Sequence, residues 1–99
     1  MSETQFHNQV VNLAEAFGWK WYHTHDSRRS PAGFPDLVLT RDGWLIFAEL
    51  KKQGGRVTAD QAAWLKALGE VNRRTGWVSR YVWRPSDLPE IHTLLKRKG

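Results

Sequence analysis

The sequence predicts a mixed α/β domain in the order helix, three strands, helix, strand, helix. Three observations predict it: apolar residues at helical spacing open the chain, two apolar runs flank Asp42-Gly43, and Thr58-x-x-Gln61 opens a second helical stretch. Ninety-nine residues suffice for one domain, residues 1–99, with a single core.

Residues 3 to about 17 carry Phe6, Val10, Leu13 and Phe17 on one helical stripe, and Gly18 is a natural stop. Ser2 or Thr4 supplies the cap. Trp19, Trp21, Tyr22 and His23 favour a strand, and the polar stretch from Thr24 to Gly33, with Pro31 and Gly33, reads as a loop. The hairpin runs from Asp36 to Lys51. After it, residues 52–57 form a turn or loop, and Thr58 opens a helix with Ala62, Leu65 and Leu68 at helical spacing. Gly76 to Trp83 reads as a strand, Arg84-Pro85-Ser86 as a turn, and Ser86 to about Arg97 as a final helix, with Pro89 early enough to be tolerated.

The hairpin carries the chemistry. Asp-Gly is a favoured two-residue turn, so Arg41 pairs with Trp44, Thr40 with Leu45, and the count continues until Asp36 faces Glu49. Strand alternation puts Asp36, Val38, Phe47, Glu49 and Lys51 on one side, and Leu37, Leu39, Ile46 and Ala48 on the other. Apolar residues on both faces mark a central, covered hairpin, so its charged open end lies at the rim of a core. Opposed Cβ atoms on antiparallel strands stand about 5 Å apart, a separation at which like charges destabilise a sheet. A divalent cation bound by carboxylate oxygens, with Lys51 beside it, supplies the compensation.

Fifteen Lys and Arg against ten Asp and Glu give a net charge of +5, which favours a polyanionic partner. The positives cluster at Arg28-Arg29, Lys51-Lys52-Arg56, Arg73-Arg74-Arg80 and Lys96-Arg97-Lys98, and the first two clusters flank the acid pair. Arg28, Arg29 and His25 suit phosphate contacts. The absence of cysteine removes disulfide frameworks and thiolate metal sites. His23 and His25 share a strand face if the strand continues, but two imidazoles without a third ligand make a poor zinc site. No apolar run reaches a membrane span and the first residues do not resemble a signal peptide, so a cytoplasmic protein of bacterial or viral coding, with no membrane partner, is expected.

The run Gly33-Phe34-Pro35-Asp36, followed thirteen positions on by Glu49-Leu50-Lys51, resembles the PD-(D/E)xK nuclease superfamily. With an acid-bearing helix before it and the Gln61 helix after it, the chain is similar to VRR-NUC (virus-type replication-repair nuclease) domains from Glu3 to about Leu95. The resemblance implies a restriction-endonuclease-like αβββαβ core with an additional C-terminal helix. It implies a Mg²⁺- or Mn²⁺-dependent endonuclease that hydrolyses DNA phosphodiesters and prefers branched DNA such as a Holliday junction, working as a homodimer. Asp36, Glu49 and the Leu50 carbonyl then ligate metal, Glu3 helps hold a second ion or its water, and Lys51 and Gln61 act on the water or phosphate. Arg28, Arg29, Lys52 and Arg56 contact the nucleic acid. Glu3 also suits a helix N-terminus electrostatically, with Glu15 its substitute at the site, and Gln61 also completes a capping box. A catalytically silent nucleic-acid-binding module and an RNA-cleaving nuclease are the rival readings. Of the six tryptophans, Trp44, Trp64 and Trp77 are expected in the core, and Trp19, Trp21 and Trp83 at a subunit interface.

Overall fold

Ser2 rather than Thr4 starts the first helix, α1 (Glu3–Ala16). In the computed structural model, which describes residues 1–24 and 30–97, the Gln5 N–H donates to Ser2 Oγ at 3.1 Å and the Ser2 N–H to Gln5 Oε1 at 2.9 Å. This reciprocal cap satisfies two N–H groups that the helix leaves open. Phe6, Val10, Val11 and Ala14 form the buried stripe of α1. The remaining elements are β1 (Lys20–His23), β2 (Leu37–Arg41), β3 (Trp44–Leu50), α2 (Ala59–Thr75), β4 (Val78–Trp83), a 3-10 turn (Pro85–Asp87) and α3 (Leu88–Arg97). That is the αβββαβ order with one helix added at the end. Among the described residues, no helix is long and apolar enough to cross a membrane.

The sheet order is β1-β2-β3-β4, antiparallel except for the parallel β3–β4 pair that α2 connects. Asp42 and Gly43 have φ of 50° and 85°, the two positive values that a type I′ turn requires. That turn fixes the expected register, from Arg41 opposite Trp44 through Leu37 opposite Ala48. Leu37, Leu39, Ile46 and Ala48 are fully buried on one face, packed with the α1 stripe and with Ile91 and Leu95 of α3. On the other face Phe34 meets Phe47 and Trp64 edge-on, at centroid distances of 5.9 and 5.0 Å.

Trp44 and Trp64 are packed and half-buried, but three of the six tryptophans fall differently from expectation. Trp19 and Trp83 are core residues, 3 % and 4 % exposed, while Trp77 is 55 % exposed. Trp19 sits under α3 and donates its indole N–H to the Leu95 carbonyl at 2.9 Å, with the Arg41 guanidinium 4.7 Å from its ring centroid. Trp77 stands between the left-handed Gly76 cap and the first residue of β4, before the sheet can cover it. Ala62 is likewise exposed, and α2 turns Trp64, Leu65, Leu68 and Gly69 inward instead. Gly69 sits there because Arg80 lies across it: a Cβ would come within 2.7 Å of Arg80 Nε, which donates to the Leu65 carbonyl at 3.3 Å.

Candidate active site

One step past the last ladder pair, Leu37 with Ala48, the register brings Asp36 opposite Glu49. Asp36 Oδ2 accepts the Leu50 N–H at 3.0 Å, tying the acid to the end of β3. The Asp36 carbonyl accepts the Thr24 N–H at 2.7 Å, extending the ladder towards β1. Glu49 is 2 % exposed, and its carboxyl is pushed up to about 9. Burial is the largest cause, followed by a side-chain hydrogen bond with Asp36 and repulsion from it; Lys51 opposes the shift and Glu3 adds to it. A hydrogen bond between two carboxyls needs a proton, so the Glu49 O–H donates to Asp36. Glu49 Oε2 is buried and has no hydrogen-bond partner.

The segment before Asp36 is clamped from the helix side. Gly33 has φ of 96°, and a Cβ there would lie 2.5 Å from the Asp60 carbonyl carbon and 2.6 Å from its oxygen. Only a residue without a side chain lets this loop rest on the first turn of α2. Pro35 next to it is fully buried. On the β3 side, the Lys51 N–H donates to the Trp83 carbonyl at 2.9 Å, so the half-buried Lys51 leaves the sheet at the carboxyl ends of the parallel strands. In an extended strand the N–H and C=O of one residue point the same way. The Leu50 carbonyl therefore faces the Asp36 side along with its N–H.

Glu3, exposed at the start of α1, lines a pocket of about 250 Å³ with Thr4, His7, His23, Asp36 and Leu50. Glu15 is not in that lining, and its carboxylate accepts the Trp21 indole N–H at 3.0 Å. Gln61 completes the cap of α2: its Oε1 accepts the Thr58 N–H at 2.9 Å, and its N–H donates to Thr58 Oγ1 at 3.1 Å. Lys52 and Arg56 are exposed on a loop held by two long-range bonds, Arg84 Nη2 to the Gly55 carbonyl at 2.7 Å and Ser86 N–H to Gln53 Oε1 at 3.1 Å. Arg28, Arg29 and His25 lie outside the described residues. Sequence reasoning missed Thr4 and His7, whose ring lies 4.3 Å from that of His23. The signal available was spacing, since His7 follows Glu3 by four residues on a helix and so shares its face.

Among the described residues, no group of three or more His, Cys, Asp and Glu side chains is arranged to hold a metal ion. What the site offers is a carboxylate pair, an orphaned buried carboxylate oxygen and a nearby main-chain carbonyl. This donor set fits a hard divalent cation that keeps several waters, as Mg²⁺ does.

An α-β-β-β-α-β core with an acid pair across the central hairpin and a lysine two residues past the second acid defines the PD-(D/E)xK-like nuclease fold. Residues 2–78 match the model of the VRR-NUC domain, and the chain belongs to that nuclease family. Among solved structures it is similar to Hjc of Archaeoglobus fulgidus, a Holliday junction resolvase from an archaeal hyperthermophile, with a TM-score of 0.55 and 19 % identity over 83 % of this chain and 69 % of that one. No curated protein matches the sequence.

Proposed function

We propose that this nuclease is a divalent-metal-dependent DNA endonuclease that hydrolyses phosphodiesters in branched DNA and acts as a homodimer. The observation that supports the reading is the buried Asp36–Glu49 pair, two close carboxyls with an unpartnered Oε2 that a cation would satisfy. Asp36, Glu49 and the Leu50 carbonyl would hold Mg²⁺ or Mn²⁺. When bound, the ion lowers the pKa of its water and polarises the scissile phosphate.

The other residues act around that centre. Lys51, on the Glu49 side of β3, directs the attacking water or balances charge growing on the phosphate oxygens. Glu3, which lines the same pocket as Asp36, would hold water of a bound ion from the α1 side. Gln61, with its Oε1 engaged in the cap, offers its amide NH₂ to water or phosphate. Arg28, Arg29, Lys52 and Arg56 contact phosphates and position the strand without reading its sequence. The resolvase likeness under the same fold supports branched DNA and a two-fold dimer, because two symmetric sites suit a four-way junction.

The test is cleavage of a labelled four-way junction, its matched linear duplex and a matched RNA, with Mg²⁺, Mn²⁺ or EDTA. Metal-dependent nicking that prefers the junction, and that Asp36→Ala and Lys51→Ala each reduce at least about a hundredfold in folded protein, is expected. Binding without cleavage in Mn²⁺ turns the assignment to a silent binding module. Preferential RNA cleavage turns it to a ribonuclease.

A further inference from the structure

β4 is an edge strand, and its free side is built for pairing. The Trp77 and Trp83 carbonyls accept the Leu45 and Lys51 N–H groups of the β3 segment, so odd-numbered residues spend their main-chain groups inward. Arg80 and Val82 therefore present theirs outward, where no described strand pairs with them. Beside this edge, α3 leaves a groove of about 500 Å³ floored by Tyr81, Trp83 and Leu94. The groove is acidic at one end, with Asp87 and Glu90, and basic at the other, with Arg97. The Asp87 carboxylate is already engaged by the Arg84 N–H at 2.9 Å, which leaves Glu90 as the acid facing outward.

Building on the dimer reading above, we infer that the β4 edge and the outer flank of α3 form the surface on which a second copy of this chain docks. A two-fold axis normal to the sheet at that edge sets β4 antiparallel to its counterpart and continues the sheet into eight strands. The same axis sets the two α3 helices antiparallel. Glu90 of one copy then meets Arg97 of the second copy, and the reverse pair forms at the same time, the self-complementarity that a closed two-fold interface demands. Glu90 and Arg97 lie seven residues apart, about two helical turns, too far to pair within one helix. The two ends of α3 are thus oppositely charged, and a copy running the other way would set each charge against its complement. Tyr81 and Leu94, half-buried in one copy, supply the apolar centre.

The chain contains no cysteine, which allows a clean cross-linking test on the full protein. Thr93, exposed midway between Glu90 and Arg97, lies near the proposed axis. Thr93→Cys is expected to give a disulfide-linked dimer on mild oxidation, and Lys66→Cys on the exposed side of α2 is not. In sedimentation equilibrium, Glu90→Lys and Arg97→Glu are each expected to weaken dimerisation about tenfold, since each turns two attractions into repulsions, while the double variant E90K/R97E restores it to within about threefold. A dimer that neither cross-links through position 93 nor regains affinity in the double variant uses another surface and overturns this inference alone. A monomer throughout the micromolar range that still cleaves DNA overturns both the surface and the dimer, and leaves the nuclease reading in place.

Discussion

Burial and the neighbouring Asp36 carboxyl push the Glu49 carboxyl up to about 9, which makes this residue a source of pH dependence in the free protein's stability. The unfolded chain releases this proton near 4.5, whereas the folded chain keeps it to about 9. Between those values the unfolded state binds fewer protons, so the contribution of Glu49 to stability is fully present below the lower value and is lost progressively as pH rises to the upper one. The slope is at most about 1.4 kcal/mol per pH unit. Urea melts in EDTA at several pH values are expected to show that decline, and Glu49→Gln, which keeps a hydrogen-bond donor without a titrating charge, to flatten it and raise stability at neutral pH. An unchanged slope in Glu49→Gln assigns the proton elsewhere. A divalent cation held as proposed would have to displace the same proton, so stabilisation by added Mg²⁺ is expected to grow with pH. Asp36 and Glu49 were legible in the sequence because strand register is a counting problem once the turn is known. Thr4 and His7 were not, because they reach the site through the packing of a helix against a sheet, which no local pattern encodes.

Two glycines separate the effects that shape the elements. Gly43, in the hairpin turn, has φ of 85° and open space where a Cβ would go. Gly33 combines a positive φ with a backbone contact that a Cβ would bring to 2.5 Å. Gly43→Ala is therefore expected to cost about 1–2 kcal/mol, the left-handed backbone penalty alone. Gly33→Ala adds overpacking of about 1–3 kcal/mol and pushes the Asp36 loop away from the α2 start, so it is expected to lose more thermal stability and nearly all cleavage. Equal melting temperatures and equal activities for the two variants would sink this account of the clamp. The hairpin elements were readable because Asp42-Gly43 specifies one turn type and the flanking apolar residues one register. The inward side of α2 was harder to read. Ala62 fits the helical period, but Trp64 and Gly69 are the residues that meet Phe34 and Arg80, and those partners come from distant segments. Trp77 misled for a related reason, since strand-like composition does not say where the sheet begins to cover a side chain.

At the scale of the chain, 99 residues with a net charge of +5 would offer DNA a small, cationic surface, so on the proposed reading much of the hold comes from phosphate contacts. Lys52→Ala and Arg56→Ala are each expected to reduce the salt slope of binding by about one, equally on junction and linear duplex, because such contacts carry no shape or sequence information. On the proposed reading, preference for a junction arises from the two-fold arrangement of two sites. If Asp36, Glu49 and Lys51 form the proposed centre, a monomer bearing it is expected to nick one strand, whereas symmetric, paired nicks would need both centres held in one assembly for the lifetime of the complex. Arg97→Glu, which leaves the centre untouched and weakens the proposed dimer, is therefore expected to keep single nicking of plasmid DNA near the wild-type rate while losing paired incision of a four-way junction at low protein concentration. Raising the concentration restores pairing by mass action, and adding Glu90→Lys to Arg97→Glu restores it without more protein. Paired incision by Arg97→Glu that matches wild type at concentrations where sedimentation shows only monomer would mean that one chain resolves both strands in succession, and the dimer would lose its role in selecting the junction.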